Sequence, residues 1–318
     1  MSSSEYKCLA RVPYELRTET TCTAAEQCRA QTLASLKPHP ELVEACAPLY
    51  SAITEIAHTT EACSPSGETN ELVDEDIVNF YAVANAVRIE VAPLAARGEL
   101  GEAATRVLDA IRFVDDLGRK GTVLGSALST SAAGRLADTL DELATDPRLT
   151  DDDARAIARD LDVLLASSPR WDAVMRQEQA TSAKTAPLMR TDMIPVLAIL
   201  DAQAPGIQRV CSGTLRDCVE HLDEVHVEGA ADFKEFAQRL GRRDSALAFV
   251  RMQIALRLAP PADCSNPARR RAILQPWADR AVVGEGRDPV VTPPAWQINP
   301  TDPPRLVPRA LRCVHATI

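Results

Sequence analysis

The sequence predicts an all-α protein: stacked helical hairpins of irregular length, closed by a proline-rich C-terminal wrap with room for a short β-hairpin. Three observations predict it. Through the middle of the chain, apolar residues recur every three or four positions, the spacing of one helix face rather than the alternation of a strand. Aromatic residues are only 4% of the 318, so Leu, Ala, Val and Ile must fill the core, and the aromatic composition typical of sheets is missing. Nine of the 22 prolines fall after residue 265, where helical patterning stops. Helix should therefore occupy more than half the chain, with strand confined to roughly the last 30 residues.

Each element follows from local signals. Residues 1–21 read as irregular. Thr23-Ala24-Ala25-Glu26 is a capping box, in which the Thr hydroxyl and the Glu carboxylate satisfy each other's orphan amides, so a helix should span 23–35. Pro38 and Pro40 mark a turn, and a second helix over 41–62 carries Pro48 as a kink point. Ser64-Pro65-Ser66-Gly67 breaks the pattern. Acidic residues then open a helix over 74–96, and Gly98 stops it. Over 99–117, Ala103, Val107, Ile111 and Val114 form one apolar stripe, with Arg106, Asp109 and Asp116 off it. The next helix, 122–144, repeats the pattern through Leu136, Leu140 and Leu143 until Asp146-Pro147. Thr150-Asp151-Asp152-Asp153 opens a helix whose inward residues are Ile157, Leu161 and Leu164, ending before Ser168-Pro169. Further helices are expected to about residue 200 (broken near Pro187 or Pro195), and over 211–226, 231–240, 244–258 and 267–274. Short strands are expected at 295–298 and 311–317. Trp277 and Trp296 suggest that the wrap packs onto the helices.

Three regions result: a cysteine-rich segment and hairpin over 1–63, a main helical domain over 64–260, and the wrap over 261–318. The joint Leu94-Ala95-Ala96-Arg97-Gly98-Glu99-Leu100-Gly101-Glu102-Ala103 resembles the helix-turn-helix joint of tetratricopeptide arrays. The resemblance covers one hairpin, and no 34-residue period (the length of such a repeat) runs through the rest.

With 35 basic and 45 acidic residues, the net charge is −10 and the pI about 5.1. Such a field repels phosphate backbones, so nucleic acid is not an expected partner. Arginine supplies nearly all the positive charge, because Lys7, Lys37, Lys120, Lys184 and Lys234 are the only lysines. Abundant Ala, Arg, Asp and Leu are the usage of a GC-rich bacterial genome. No apolar run is long enough to span a membrane, and the first residues lack the apolar core of a signal peptide.

Nine cysteines point to compartment. Cys8, Cys22, Cys28, Cys46 and Cys63 crowd the start; Cys211, Cys218, Cys264 and Cys313 follow residue 210. Clustering toward the two ends is the placement of disulfide staples, although buried thiols or a zinc site are the alternatives. With disulfides, the chain is an exported protein of the periplasm or cell surface whose signal has been removed; with thiols, it is cytoplasmic. Cys28 and Cys46 lie equally far from Lys37, so an antiparallel hairpin turning there brings them to one height for a bridge. The same mirror rule suggests Cys8 with Cys63; pairing among Cys211, Cys218, Cys264 and Cys313 stays open.

Candidate chemistry is sparse. His221 and His226 stand five apart, about 140° around a helix, so only His221 and Glu224 share a face for a metal ion. A solvated helix end explains them as well. Gly118-Arg119-Lys120-Gly121 lacks the phosphate-loop spacing, while Gly121, Gly125 and Ser129 recur at the interval that lets helices approach. The acidic pairs Asp115-Asp116, Asp141-Glu142, Asp151 to Asp153 and Asp223-Glu224 are sequence neighbours that point apart, unlike a catalytic carboxylate pair. Arg170, Trp171 and Arg176, with Arg270 and Trp277, are the exposed-anchor candidates for binding. The expected function is an exported binding or scaffold protein, its partner another protein, with no cofactor. The alternatives are an enzyme assembled from scattered acids and His, or a cytoplasmic interaction module.

Overall fold

The structure is a computed structural model, and it describes residues 33, 36, 39–58, 72–119, 123–167, 220, 230–277, 282–283, 290–292 and 309–311. Eight helices lie among them, and the fold is all-α: α1 (Pro40–Ala57), α2 (Leu72–Arg97), α3 (Leu100–Arg119), α4 (Val123–Ala144), α5 (Asp151–Ala166), α6 (Ala230–Leu258), α7 (Pro261–Ser265) and α8 (Pro267–Leu274). The helices α2, α3 and α4 pack mutually. Helix α6 lies against α4 and α5, α5 against α3, and α1 rests on α2 and α3.

The expected apolar stripes are the buried ones. Ala103, Val107, Ile111 and Val114 of α3 are fully buried, as are Leu136 and Leu140 of α4 and Leu161 of α5. Burial of this kind stabilises by about 25 cal/mol per Å² of apolar surface removed from water, and it is what holds otherwise marginal helices in place. Helix α1 ends at Ala57 rather than 62, and it runs unbroken through Pro48.

The joints follow helix-end chemistry. Gly98 has φ +82°, the left-handed conformation that a side chain disfavours. Its amide bonds the Ala95 carbonyl at 3.1 Å, and Glu99 N bonds the Leu94 carbonyl at 3.0 Å, the paired bonds of a Schellman C-cap. Gly101, at the start of α3, leaves space taken by Asp153; a Cβ there would collide with that carboxylate. Asp153 opens α5, where Thr150 Oγ1 accepts from its amide at 3.1 Å. At α8, Asn266 Oδ1 accepts from Ala268 N at 3.0 Å and Arg269 N at 3.2 Å.

Two expectations are corrected. A single helix, α6, replaces the pair expected over 231–240 and 244–258. Gly241 costs about 1 kcal/mol of helix propensity, but the buried Leu247, Val250 and Ile254 and the ion-paired Arg243 that follow on the same helix outweigh it. The strands also lie earlier than expected. β1 (Val282–Val283), β2 (Val290–Thr292) and β3 (Arg309–Ala310) form an antiparallel sheet in that order, pairing Val283 with Val291 and Val290 with Ala310. β1 thus precedes the last 30 residues, since a Val-Val pair suffices to pair with β2. Residue 311 follows β3 as a buried Leu outside any strand, while 295–298 and 312–317 lie outside the described residues. The wrap does pack onto the helices at Trp277, whose ring lies 4.5 Å from the Arg251 guanidinium of α6.

Candidate functional site

The residues named from sequence fall into two groups. His221, Glu224, His226, Arg170, Trp171 and Arg176 lie outside the described residues, as do Cys8, Cys22, Cys28, Cys63, Cys211, Cys218 and Cys313. Arg270 is placed, and it is buried rather than an exposed anchor; it is on the face of α8 that also carries the buried Leu274. Trp277 is half-covered and serves the packing just described. Cys46 and Cys264 are both buried. The expected Cys28–Cys46 pairing lies outside the described residues, because Cys28 does.

The acidic pairs resolve into distinct roles. Asp151, Asp152 and Asp153 occupy the first turn of α5, where the helix dipole favours negative charge. Asp115 is buried against Arg243 of α6, with Arg243 Nε to Asp115 Oδ1 at 3.2 Å; Asp244 also pairs with that guanidinium at 2.6 Å. Glu142 accepts from Leu33 N at 2.7 Å and lies 3.6 Å from Arg88. Burial pushes the Glu142 carboxyl up, and that amide and Arg88 oppose the shift. Arg135 donates to Asn85 Oδ1 at 3.0 Å, completing a polar seam between α2 and α4.

The densest concentration of chemistry-bearing side chains runs along one face of α3, under α1. Glu102, Arg106, Asp109 and Arg112 recur at intervals of three and four, which stacks them on a common stripe. Arg106 donates to Thr54 Oγ1 of α1 at 3.2 Å and lies 3.6 Å from Glu102 and 3.9 Å from Glu90 of α2. Burial raises the Glu90 carboxyl to about 7, opposed by Arg106 and aided by Glu102. Beside it, Tyr50 donates to the Ala86 carbonyl at 3.0 Å. Burial, and secondarily the Glu90 charge, holds the Tyr50 hydroxyl far above its ordinary range.

One turn along, His58 Nε2 lies 3.3 Å from Asp109 Oδ1. Asp109 is 2% exposed, whereas the imidazole is 58% exposed. Burial pushes the Asp109 carboxyl up, and His58 and Arg112 oppose this. Arg112 bridges Asp109 at 3.2 Å and Asp160 of α5 at 2.7 Å. A buried carboxylate thus meets a largely exposed imidazole at the end of α1. Among the described residues, no group of three His, Cys, Asp or Glu side chains is placed to hold a metal ion.

The sequence pattern sets Arg106 and Asp109 off the apolar stripe of α3 and gives His58 no role. The available signal was the spacing of four charged residues at helical period beside the apolar stripe. Its meaning depended on α1 lying over it, which one helix's pattern does not contain.

The fold and the seam define an all-α helical protein with its charged groups drawn into helix–helix contacts. Compared with known proteins, the chain matches no family model, no curated protein and no solved structure. Among the described residues, no helix is long and apolar enough to cross a membrane.

Proposed function

We infer that the chain is an exported, disulfide-stapled helical scaffold that binds another protein. What supports export is the burial of Cys46 on α1 and Cys264 on α7, read as disulfide-bonded cysteines among the nine of the chain. Disulfides form and persist in oxidising compartments, and thiols prevail in the cytosol. Support for a scaffold comes from how the buried and partly buried arginines are used: Arg243, Arg257, Arg112 and Arg88 each tie one helix to another or to a joint. Val163 is the exposed large apolar side chain among the described residues, so a partner meets a mainly polar, charge-bearing surface there.

The test is thiol counting on protein isolated from its native compartment. Intact mass after alkylation without reductant, compared with alkylation after reduction, should show Cys46 and Cys264 protected until reduction. Nine alkylated cysteines before reduction would place the chain in a reducing compartment and end the export proposal.

A further inference from the structure

The helix α1 differs from the rest of the bundle in what holds it down. Beside its buried residues Leu42, Cys46, Leu49 and Ile53, its cross-helix polar contacts include Tyr50 to the Ala86 carbonyl, Thr54 to Arg106, and His58, just past its end, to Asp109. Arginine–carboxylate pairs inside the bundle keep their charge across the ordinary pH range. The seat of α1 does not, because it contains an imidazole and a buried carboxylate.

We propose that α1 is a pH-responsive latch on the α2–α3 hairpin, seated more tightly as the medium acidifies. Two separate contacts give the same sign. His58 forms an ion pair with buried Asp109 only when its imidazole is protonated. Glu90, packed with Tyr50 beneath α1, is taken from water without a hydrogen bond from Arg106, which spends its Nη1 donor on Thr54 and stands 3.9 Å away. A protonated Glu90 is the form that burial favours. Acid therefore adds an attraction at one end of the seat and removes a buried charge from its middle. Among the described residues, the other charged and titratable groups facing the seat are Glu102, Arg106 and Arg112 of α3, with Asp160 of α5 behind Arg112. The two arginines stay charged throughout, and Glu102 is an exposed rim partner of Arg106. Asp109 sets the lower limit, since its own protonation ends the pairing with His58.

Amide hydrogen exchange on the full, oxidised chain tests the latch. Protection factors, already corrected for intrinsic rates, would be compared at about pH 5.5 and about pH 8 for amides of α1 and for those of α3 and α4. The expected result is a loss of about tenfold or more for α1 at the higher pH, with α3 and α4 changing less, as one pKa unit of linkage corresponds to one decade. Glu90→Gln and His58→Gln should each flatten part of the α1 slope, and together all of it. Equal slopes for α1 and the bundle in the wild-type chain overturn the proposal without recourse to any variant. So does an α1 slope that survives in the folded double variant.

Discussion

Arg243 of α6 and Asp115 of α3 form an ion pair across 128 positions of sequence, with the guanidinium 1% and the carboxylate 2% exposed. The same guanidinium reaches the Leu164 carbonyl near the end of α5 at 3.5 Å. Three helices are joined at one buried charge. Burial works against the charged form of Arg243, but Asp115 and Asp244 more than offset it, so the guanidinium holds its proton more firmly than usual.

Removing one partner of this pair leaves the other charged and buried. Asp115→Ala should cost about 3–5 kcal/mol, whereas replacing Asp115 and Arg243 together by apolar residues of similar size should cost much less. Urea unfolding of the single and double variants measures both. A double variant as unstable as the sum of the two singles would show no coupling between these groups.

Glu90 should give stability a pH dependence of its own. Its carboxyl is raised to about 7 in the folded chain, against 4.5 for the ordinary group. The folded state then binds more protons than the unfolded state between these values, so stability falls as pH rises through that window and levels off above 7. The contribution is about 3 kcal/mol, from 1.36 kcal/mol per pKa unit. Glu90→Gln should remove this fall, read as a flatter plot of unfolding free energy against pH from about 4.5 to 7.5. An unchanged plot would mean that Glu90 does not titrate there.

The turn between α2 and α3 depends on backbone conformation more than on contacts. Gly98→Ala should cost about 1 kcal/mol, because alanine disfavours φ +82°. Thermal unfolding should show a lower midpoint with the helical spectrum of the folded state unchanged.

Arg257 provides a contrast with a glycine stop. Near the end of α6, its Nη1 donates to the Ala144 carbonyl at 3.3 Å and the Asp146 carbonyl at 2.9 Å, and its Nη2 donates to Pro147 at 3.4 Å and to the Leu149 carbonyl. Arg257→Lys keeps the charge but not the planar fork, so it should restore less than half of what Arg257→Ala loses. The loss itself is expected at about 2–4 kcal/mol, since the buried carbonyls of Ala144 and Leu149 would lose this donor. Denaturation midpoints of the two variants decide it; equal stability of the lysine variant and the wild-type chain would reject the fork.

Local chemistry made much of this fold legible. Thr150 with Asp153, Gly98 after the α2 pattern, and Pro267 at the start of a short helix each act within a few residues, so their signals survive without tertiary context. The boundaries of α2 through α5 fall within two residues of those expected for the same reason. The candidate site was less legible. Asp109 sits off the apolar stripe of α3 and would face water on an isolated helix; α1 covers it. Arg270 looks like part of an exposed basic run, yet the central residue of three on a helix turns inward where its neighbours do not. Gly241 would end a lone helix, but packing on α4 and α5 carries α6 past it.

Arg148 extends what Arg257 does at the same end of the bundle. Its Nη2 donates to the Ala95 carbonyl at 2.9 Å, and its Nη1 reaches the Ala96 carbonyl at 3.4 Å, so it tends the last turn of α2 as Arg257 tends that of α4. The outward carbonyls of helix ends are ordinarily places where a cation, a water chain or an incoming peptide strand finds an acceptor. At these two ends the acceptors are already engaged by guanidinium groups of the chain itself. Any molecule approaching this pole encounters side chains in place of open peptide groups, and recognition there must read shape and charge rather than backbone.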